Sequence, residues 1–292
     1  MFTIVTDTSA NLDSEWLRSH QVAVVAFCYH MDGQEFACTD TRAFDSHAYY
    51  DAIRGGKRVT TSQVTPQQYM DCMVPILEGG SDILFVGMSS GISGSYASAE
   101  AAAQQLQEQF PERKIRLVDT FGASLGEGLF VIKAAEMRDN GSALDDVADT
   151  LLGLRTSMCQ VFTVEDLKHL RSTGRLSNVK ALVGSLLKIM PLLKGDDEGK
   201  IVSFALLRGR KRAIQAMAER YNALVEQPET QTIGIAHADC PDDLQLLIRL
   251  LNEKRPPKDI LTVDYEPVTG AHVGPGALAL FFFGKTGARG QI

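Results

Sequence analysis

A segment rich in serine and glycine joins an apolar run to an alanine-rich stretch. The apolar run at residues 82–87 predicts a short buried strand, and residues 97–107 consist of strong helix formers. Between them lie Ser89, Ser90, Gly91, Ile92, Ser93, Gly94 and Ser95. Backbone N–H groups at a helix start lack partners, and the positive end of the helix dipole favours an anion. This serine turn (residues 89–95) therefore predicts a strand-turn-helix unit that holds a negatively charged group.

Strand-like and helix-like stretches alternate along the chain, which is typical of α/β folds. In the first half, strands are predicted at residues 2–6, 22–27, 83–86 and 115–118, and helices at 65–77, 95–109, 124–140 and 143–154. In the second half, strands are predicted near 159–163, 190–194, 201–207, 233–237 and 260–265, and helices at 165–172, 178–188, 209–225 and from 241. The apolar run at 276–283 predicts either a helix and a strand or one buried strand. We expect an N-terminal α/β domain with a parallel sheet over residues 1–157 and a C-terminal α/β domain with a mixed sheet over residues 158–292.

Composition excludes several classes of protein. The chain has 292 residues and a formal net charge of -7, which argues against a general affinity for nucleic acid. Its start has no basic segment of the secretory type, and no apolar run approaches the roughly 20 residues of a membrane helix, so we predict a cytoplasmic location. The 5 cysteines and 6 histidines are scattered without metal-binding spacing, which favours reduced thiols and no metal site.

Polar turns recur at the ends of predicted strands, where open α/β sheets bind ligands. Each turn taken alone is more often a structural cap, but their recurrence favours a shared site. Apart from a further turn at residues 7–9, the candidate ligand-binding residues are Thr61, Ser62, Ser93, Gly94, Ser95, Asp119, His272 and Gly274.

The spacing within the serine turn narrows the chemistry. No Gly-Lys-Ser/Thr follows, and the Gly-x-Gly-x-x-Gly spacing is missing, so nucleotide binding has little support. A hydrolase that uses Ser93, His272 and Asp119 is an alternative, although the Gly-x-Ser-x-Gly elbow is missing too. Simple anion binding is the favoured interpretation.

Two features of the second half point to further contacts. Basic residues cluster at 168–176 and again at 208–212, the second cluster including Arg208 and Arg210. Such clusters are usually a solvated surface, and docking of an acidic protein partner is the functional alternative. Residues 179–193 are almost continuously apolar, which favours core burial and would also suit a wall for a long hydrocarbon chain.

The order of these motifs resembles that of the DegV family of bacterial fatty-acid-binding proteins. The matching motifs cover essentially the whole chain and occur at residues 4–9, 61–63, 90–96, 118–120, 167–177 and 272–277. The resemblance implies two α/β domains with the ligand at their interface. It also implies that Thr61, Ser93, Gly94 and nearby backbone hold the carboxylate, with His272 at the same site.

The resemblance further implies a partner. Members that serve a fatty acid kinase present the bound acid to a separate ATP-using subunit, and Arg208 is then a candidate for docking it. Three departures from the family pattern are Val64 in place of Pro, Ser95 in place of Thr, and the stretch at 171–173. The first two preserve the chemistry, whereas the third alters a stretch expected to take part in partner recognition.

Together these features predict a non-catalytic carrier of a long-chain fatty acid, without a cofactor or a metal. An enzyme that uses Ser93 or His272 and a regulatory protein whose ligand controls docking at 208–212 are the alternatives.

Overall fold

Strands and helices alternate through most of the chain. The computed structural model describes residues 2–177 and 189–292. The strands are β1 (Phe2–Asp7), β2 (Val22–Val25), β3 (Cys28–Met31), β4 (Gln34–Ala37), β5 (Val59–Ser62), β6 (Asp82–Gly87), β7 (Ile115–Asp119), β8 (Met158–Thr163), β9 (Ile189–Gly195), β10 (Ile201–Arg208), β11 (Thr232–His237), β12 (Asp259–Asp264) and β13 (Leu278–Phe283). The α-helices are α1 (Ser14–Ser19), α2 (Ser46–Arg54), α3 (Pro66–Glu78), α4 (Ser95–Gln109), α5 (Leu125–Asp139), α6 (Leu144–Leu154), α7 (Leu167–Ser172), α8 (Arg210–Leu224), α9 (Pro241–Lys254), α10 (Pro267–Val273) and α11 (Ala288–Gln291).

The chain forms two units that each have their own internal contacts. Unit 1 comprises Met1–Asp45 and Arg58–Arg155, and unit 2 comprises Ser46–Lys57 and Thr156–Ile292. The single boundary predicted after residue 157 lies two residues beyond the observed one. The predicted C-terminal domain also lacks the segment Ser46–Lys57, which belongs to unit 2 although it lies early in the sequence.

A four-stranded parallel sheet forms the centre of unit 1. The strand order is β2-β1-β6-β7, and all three pairings are parallel. Both central strands are almost entirely buried, which is why they occur as continuous apolar runs rather than alternating ones. The strands predicted from these runs are present, and the helices predicted at 65–77, 95–109, 124–140 and 143–154 correspond to α3, α4, α5 and α6.

The start of α3 shows how local sequence sets an element boundary. Thr65 caps the helix by accepting a hydrogen bond from the Gln68 amide at 3.3 Å, and the Gln68 side chain accepts one from the Thr65 amide at 2.9 Å. Pro66 occupies the first helical position, where its missing N–H costs nothing. This reciprocal cap fixes the point at which the chain leaves β5.

A second, smaller sheet of unit 1 was not predicted. It has the order β4-β3-β5 with antiparallel pairings, and Thr61 lies opposite Tyr29 across the ladder. Every residue of β4 is exposed, so this strand lacks the buried alternation by which strands are recognised.

Unit 2 is built on a mixed six-stranded sheet. The order is β10-β9-β8-β13-β11-β12, in which β11 and β12 pair in parallel and the other neighbours are antiparallel. Buried side chains of α8 and α9 form one core cluster with apolar residues of β8, β11 and β13. The apolar run at 276–283 ends in the strand β13, which α10 precedes. The predicted α/β class, with a parallel sheet followed by a mixed one, is confirmed.

The early helix α2 is anchored in unit 2 by two buried tyrosines. The Tyr49 hydroxyl donates to the Pro267 carbonyl at 2.6 Å, and the Tyr50 hydroxyl donates to the Tyr265 carbonyl at 2.8 Å. Gly270 leaves the space that Tyr50 needs, since a Cβ there would lie 2.2 Å from the Tyr50 hydroxyl oxygen.

An ion-pair network adds to this anchor. The two ring nitrogens of His47 face Asp239 at 3.1 Å and Asp51 at 3.3 Å, and Arg54 pairs with the same two carboxylates. Within residues 2–177 and 189–292, these His and Asp side chains form the group whose spacing could suit a metal ion. We interpret it as an ion-pair network, because Arg54 already pairs with both carboxylates and a metal ion would bind only one imidazole nitrogen.

Replacing Tyr50 by Phe is expected to lower the free energy of unfolding by about 1–3 kcal/mol, because the Tyr265 carbonyl loses its buried donor. Tyr69→Phe is the matched control: Tyr69 is equally buried, and its hydroxyl has no hydrogen-bond partner among the described residues. Urea unfolding of both variants measures the difference. An equal loss in the two variants would contradict this assignment.

Candidate ligand-binding site

The end of β5 and the start of α4 meet in unit 1. The Val64 amide donates to the Ser95 hydroxyl at 3.1 Å, and the Ser95 hydroxyl lies 3.1 Å from the Ser93 hydroxyl. Gly94 packs against the Gln63 side chain, where a Cβ would come within 2.3 Å of Oε1. The residues that follow Thr61 are therefore held against the serine turn.

The start of α4 is left without a side-chain cap. Gly94 occupies the N-cap position and has no side chain that could accept a hydrogen bond. The Ser95 amide donates back to the Ser93 hydroxyl at 3.2 Å. Two hydroxyls and the first amides of a 15-residue helix thus lie together, which is an arrangement suited to an anion.

Asp119 supports the serine turn from the neighbouring strand end. Its Oδ1 accepts hydrogen bonds from the Ser90 amide at 3.3 Å and the Phe121 amide at 3.1 Å. The Ser89 amide donates to the Gly122 carbonyl at 2.8 Å, which ties the turn to the same loop. In these contacts Asp119 shapes the turn; direct contact between Asp119 and a ligand stays a prediction.

Thr61 and Ser62 lie on opposite faces of the small sheet, because successive side chains of a strand alternate. Thr61 shares its face with Tyr29, whereas Ser62 shares the other with Cys28 and His30. The Ser62 hydroxyl lies 2.8 Å from His30 Nε2. The two side chains therefore lie on opposite sides of the small sheet, and Ser62 as a ligand contact stays a prediction.

The Ser62–His30 contact does not form a catalytic triad. Glu35 lies 3.4 Å from His30 Nε2, the same ring nitrogen that contacts Ser62. In a triad the acid orients the imidazole through the nitrogen that the nucleophile does not use. The hydrolase alternative rested on other residues: Ser93 and Asp119 in unit 1, and His272 in unit 2.

In unit 2, His272 occupies the last turn of α10 and precedes a tight glycine turn. Gly274 and Gly276 have positive φ angles of 77° and 75°, which favour glycine. A Cβ at Gly274 would lie 2.8 Å from the His169 ring, and one at Gly276 would lie 2.3 Å from Glu165. Both glycines therefore let the turn approach polar side chains closely.

His272 is held neutral. Burial, together with the nearby Arg175 and His169, lowers its pKa from 6.5 to about 4. A neutral imidazole donates one hydrogen bond and accepts one but carries no charge. His272 therefore cannot attract a carboxylate as a cation at neutral pH, although it can still hydrogen-bond to one.

The two arginines predicted to bind a partner differ in their surroundings. Arg208 is exposed at the end of β10. Arg210 donates to Asp243 at 2.7 Å and to the Gly276 carbonyl at 2.6 Å, so it braces the glycine turn inside unit 2. Two of the guanidinium nitrogens of Arg210 are thus engaged within its own unit, and its role as a docking residue stays a prediction.

Residues 179–188 of the predicted apolar wall at 179–193 lie outside the described residues. The helix predicted at 178–188 falls in that part of the chain. The remainder, from Ile189, forms β9, in which Leu192 and Leu193 are buried.

Sequence reasoning missed the neighbours that shape both regions. Gln63 lies inside a recognised motif, but nothing in the pattern shows that it packs on Gly94. Glu165, His169 and Arg175 surround the His272 turn, and only their place in a polar stretch could have signalled them.

Among residues 2–177 and 189–292, no helix is both long and apolar enough to cross a membrane.

Comparison with known proteins places this chain in a family. The family model described as "Uncharacterised protein, DegV family" matches residues 1–285. A DegV domain-containing protein from Clostridium perfringens is 35% identical over 286 residues, covering 98% of each chain.

Two solved structures share the fold along the whole chain. One, described as showing fatty acid binding of a DegV family protein from Thermus thermophilus, has a TM-score of 0.87 and 27% identity, covering 97% of this chain and 100% of that one. Another, described as a fatty acid binding DegV family protein from Streptococcus agalactiae, has a TM-score of 0.84 and 28% identity, covering 98% and 99%. The motif order, the fold and these matches agree, and the chain belongs to the DegV family.

Proposed function

We propose that this protein is a non-catalytic carrier of a long-chain fatty acid whose carboxylate is held by Thr61 and Ser93. The observation that carries the proposal is the start of α4, where Gly94 provides no cap and the hydroxyls of Ser93 and Ser95 lie 3.1 Å apart. The related proteins from Thermus thermophilus and Streptococcus agalactiae, both described as fatty acid binding, support the choice of ligand.

The chemistry of the head group fits this site. A carboxylate withdrawn from water is costly unless several donors converge on it, and hydroxyls with helix amides supply such donors. Ser62 is left out of the clamp, because its side chain lies on the other face of the small sheet. His272 and Gly274 remain predicted ligand contacts.

The acyl chain would supply most of the affinity. Each buried methylene contributes about 0.8 kcal/mol of gross transfer free energy, so a long chain needs little help from its head group. A carboxylate that is held by neutral hydroxyls and amides, rather than by an arginine, can still react while it is bound. This suits a protein that presents its ligand to a separate ATP-using kinase subunit, with Arg208 as a docking residue.

Fatty acid is expected to copurify with the protein. The test is to express it in bacteria, denature the purified material and identify the released acid by mass spectrometry. Absence of fatty acid, together with no binding of added oleic acid, would exclude the proposed function. Turnover of acyl esters by the protein alone would instead favour an enzyme.

Ser93→Ala and Thr61→Val are each expected to weaken binding of oleic acid by about 1.5–3 kcal/mol, the range for hydrogen bonds to charged groups. Ser62→Ala is the matched control, since it removes the hydroxyl next to Thr61 on the opposite face. A fluorescence displacement assay compares the three. If Ser62→Ala weakens binding as much as Thr61→Val does, the head-group assignment is wrong.

Arg208→Ala is expected to slow acyl-phosphate formation when the loaded protein is mixed with ATP and a purified bacterial fatty acid kinase subunit. The reason is loss of an exposed cation at the docking surface, so fatty acid binding itself should not change. Arg249→Ala, on the exposed side of α9, is the control. Equal rates for the two variants would remove Arg208 from the docking surface.

A further inference from the structure

Four polar side chains are buried together where β1 ends beside the serine turn. This Asp7 cluster consists of Thr6, Asp7, Ser9 and Glu127, each at most 1% exposed. Thr6 and Asp7 end β1, Ser9 lies in the short 3₁₀ helix that follows, and Glu127 lies in the first turn of α5. β1 pairs with β6, the strand that leads directly into the serine turn.

The hydrogen bonds of Ser9 require a proton from a carboxyl group. The Ser9 hydroxyl is within hydrogen-bond distance of Asp7 Oδ1 and lies 2.5 Å from Glu127 Oε2. A serine hydroxyl carries one proton and can donate to only one of them. The other carboxyl must donate to Ser9, because an ionised carboxylate oxygen at that distance would face the lone pairs of the Ser9 oxygen and be repelled by them.

A second hydroxyl gives the same result from the other side. The Thr6 hydroxyl lies 2.8 Å from the Val86 carbonyl oxygen and 3.0 Å from Glu127 Oε1. A carbonyl cannot donate, so if Thr6 donates to Val86, Glu127 must donate to Thr6. Glu127 then accepts from Ser9, and Asp7 must donate to Ser9. The two carboxyl groups therefore carry at least one proton between them. They carry two protons if each of these contacts is a hydrogen bond.

The surroundings favour the neutral form. Burial is the strongest influence on the pKa of Asp7, and the hydrogen-bonding groups that oppose it, Ser9, the Met88 backbone and Glu127, include no cation. Tyr69 of α3 faces the two carboxyls with a buried, neutral hydroxyl, and Asp119 at the end of β7 adds a further acid near the turn. Asp7 Oδ2 is buried and makes no hydrogen bond of ordinary geometry with the described residues.

We propose that Asp7 and Glu127 share a proton through Ser9 and that the protonation of this pair regulates how tightly the serine turn holds a carboxylate ligand. This inference rests on the proposed function for its ligand but not for the shared proton. Each proton lost leaves a negative charge next to the strand end from which the turn begins. That charge repels an anionic head group at the turn, so binding weakens as the pair ionises.

The direction of the pH effect follows from burial. Burial raises the pKa of Asp7 from 3.8 to about 6, while hydrogen bonds from Ser9 and the Met88 backbone oppose the rise. A carboxyl whose pKa is higher in the folded state stabilises the fold at pH values below its unfolded pKa. That stabilisation is lost as the pH rises from about 4 through about 6. Asp7 is then expected to gain a proton as the pH falls through about 6, in addition to the proton that the contacts of Ser9 require.

The first experiment needs no ligand. The double variant Asp7→Asn/Glu127→Gln keeps the shape of both side chains and stays uncharged at every pH. Infrared difference spectra of the unmodified protein against this variant should show a protonated carboxyl band near neutral pH that grows as the pH falls through about 6. Urea unfolding should show the unmodified protein losing stability relative to the variant over the same pH range. The slope of the free energy of unfolding against pH should correspond to at most one proton.

Asp71→Asn, an exposed carboxylate of α3, controls for the loss of surface charge and should leave both readouts unchanged. If the double variant does not fold, the infrared titration of the unmodified protein still decides, since its carboxyl band must be present near neutrality. No protonated carboxyl near neutral pH would overturn the shared proton.

The second experiment measures binding of a fluorescent long-chain fatty acid. At about pH 5 the unmodified protein and the double variant should bind equally, and at about pH 8 the variant should bind about fivefold tighter or more. The ratio of the two affinities at each pH is compared, because titration of the ligand itself affects both proteins equally and cancels in this ratio. A ratio that does not change with pH overturns the regulation and leaves the proposed function standing. No binding by the unmodified protein at any pH overturns the proposed function, and the infrared result still tests the proton.

Discussion

The carboxyl edge of the parallel sheet in unit 1 must satisfy many buried polar groups. Three strand ends meet there, and they carry Asp7, the serine turn and Asp119. Burial makes each unpaired donor or acceptor costly, so these groups bond to one another. Asp119 takes two backbone amides, and Ser9 joins two carboxyls. The turn is thereby held in shape from both sides.

Neutrality is a common property of the residues proposed to hold the head group. Thr61 and Ser93 are hydroxyls, and His272 has a pKa lowered to about 4 by burial. Dipoles bind an anion only at short range and in good geometry, whereas a guanidinium attracts it over a longer distance. A site of this kind depends on the shape of its turn more than on charge. Affinity then comes mainly from the acyl chain, which favours a carrier that gives up its ligand.

Sequence patterns predicted elements whose cause is local and missed those whose cause is tertiary. Buried runs such as β6 and the capped start at Thr65 contain their own signals, so the strands of the parallel sheet and the helices α3 to α6 were placed within a few residues. β4 is exposed throughout, so it lacks buried alternation. The place of α2 depends on carbonyls of unit 2 that lie far along the chain, which no local pattern shows. Ser62 shares a motif with Thr61, yet strand alternation turns its side chain away. Arg210 looks like a surface cation until Asp243 and the Gly276 carbonyl are seen beside it.

Chain connectivity ties the candidate site to the anchor of α2. The chain enters unit 2 at Ser46, returns to unit 1 at Arg58 and crosses again after Arg155, so three connections join the units. The segment Ser46–Lys57 ends only a few residues before Thr61. The hydrogen bonds of Tyr49 and Tyr50 hold it in unit 2. A fragment cut after residue 155 would therefore separate unit 2 from the helix that fills its tyrosine sites.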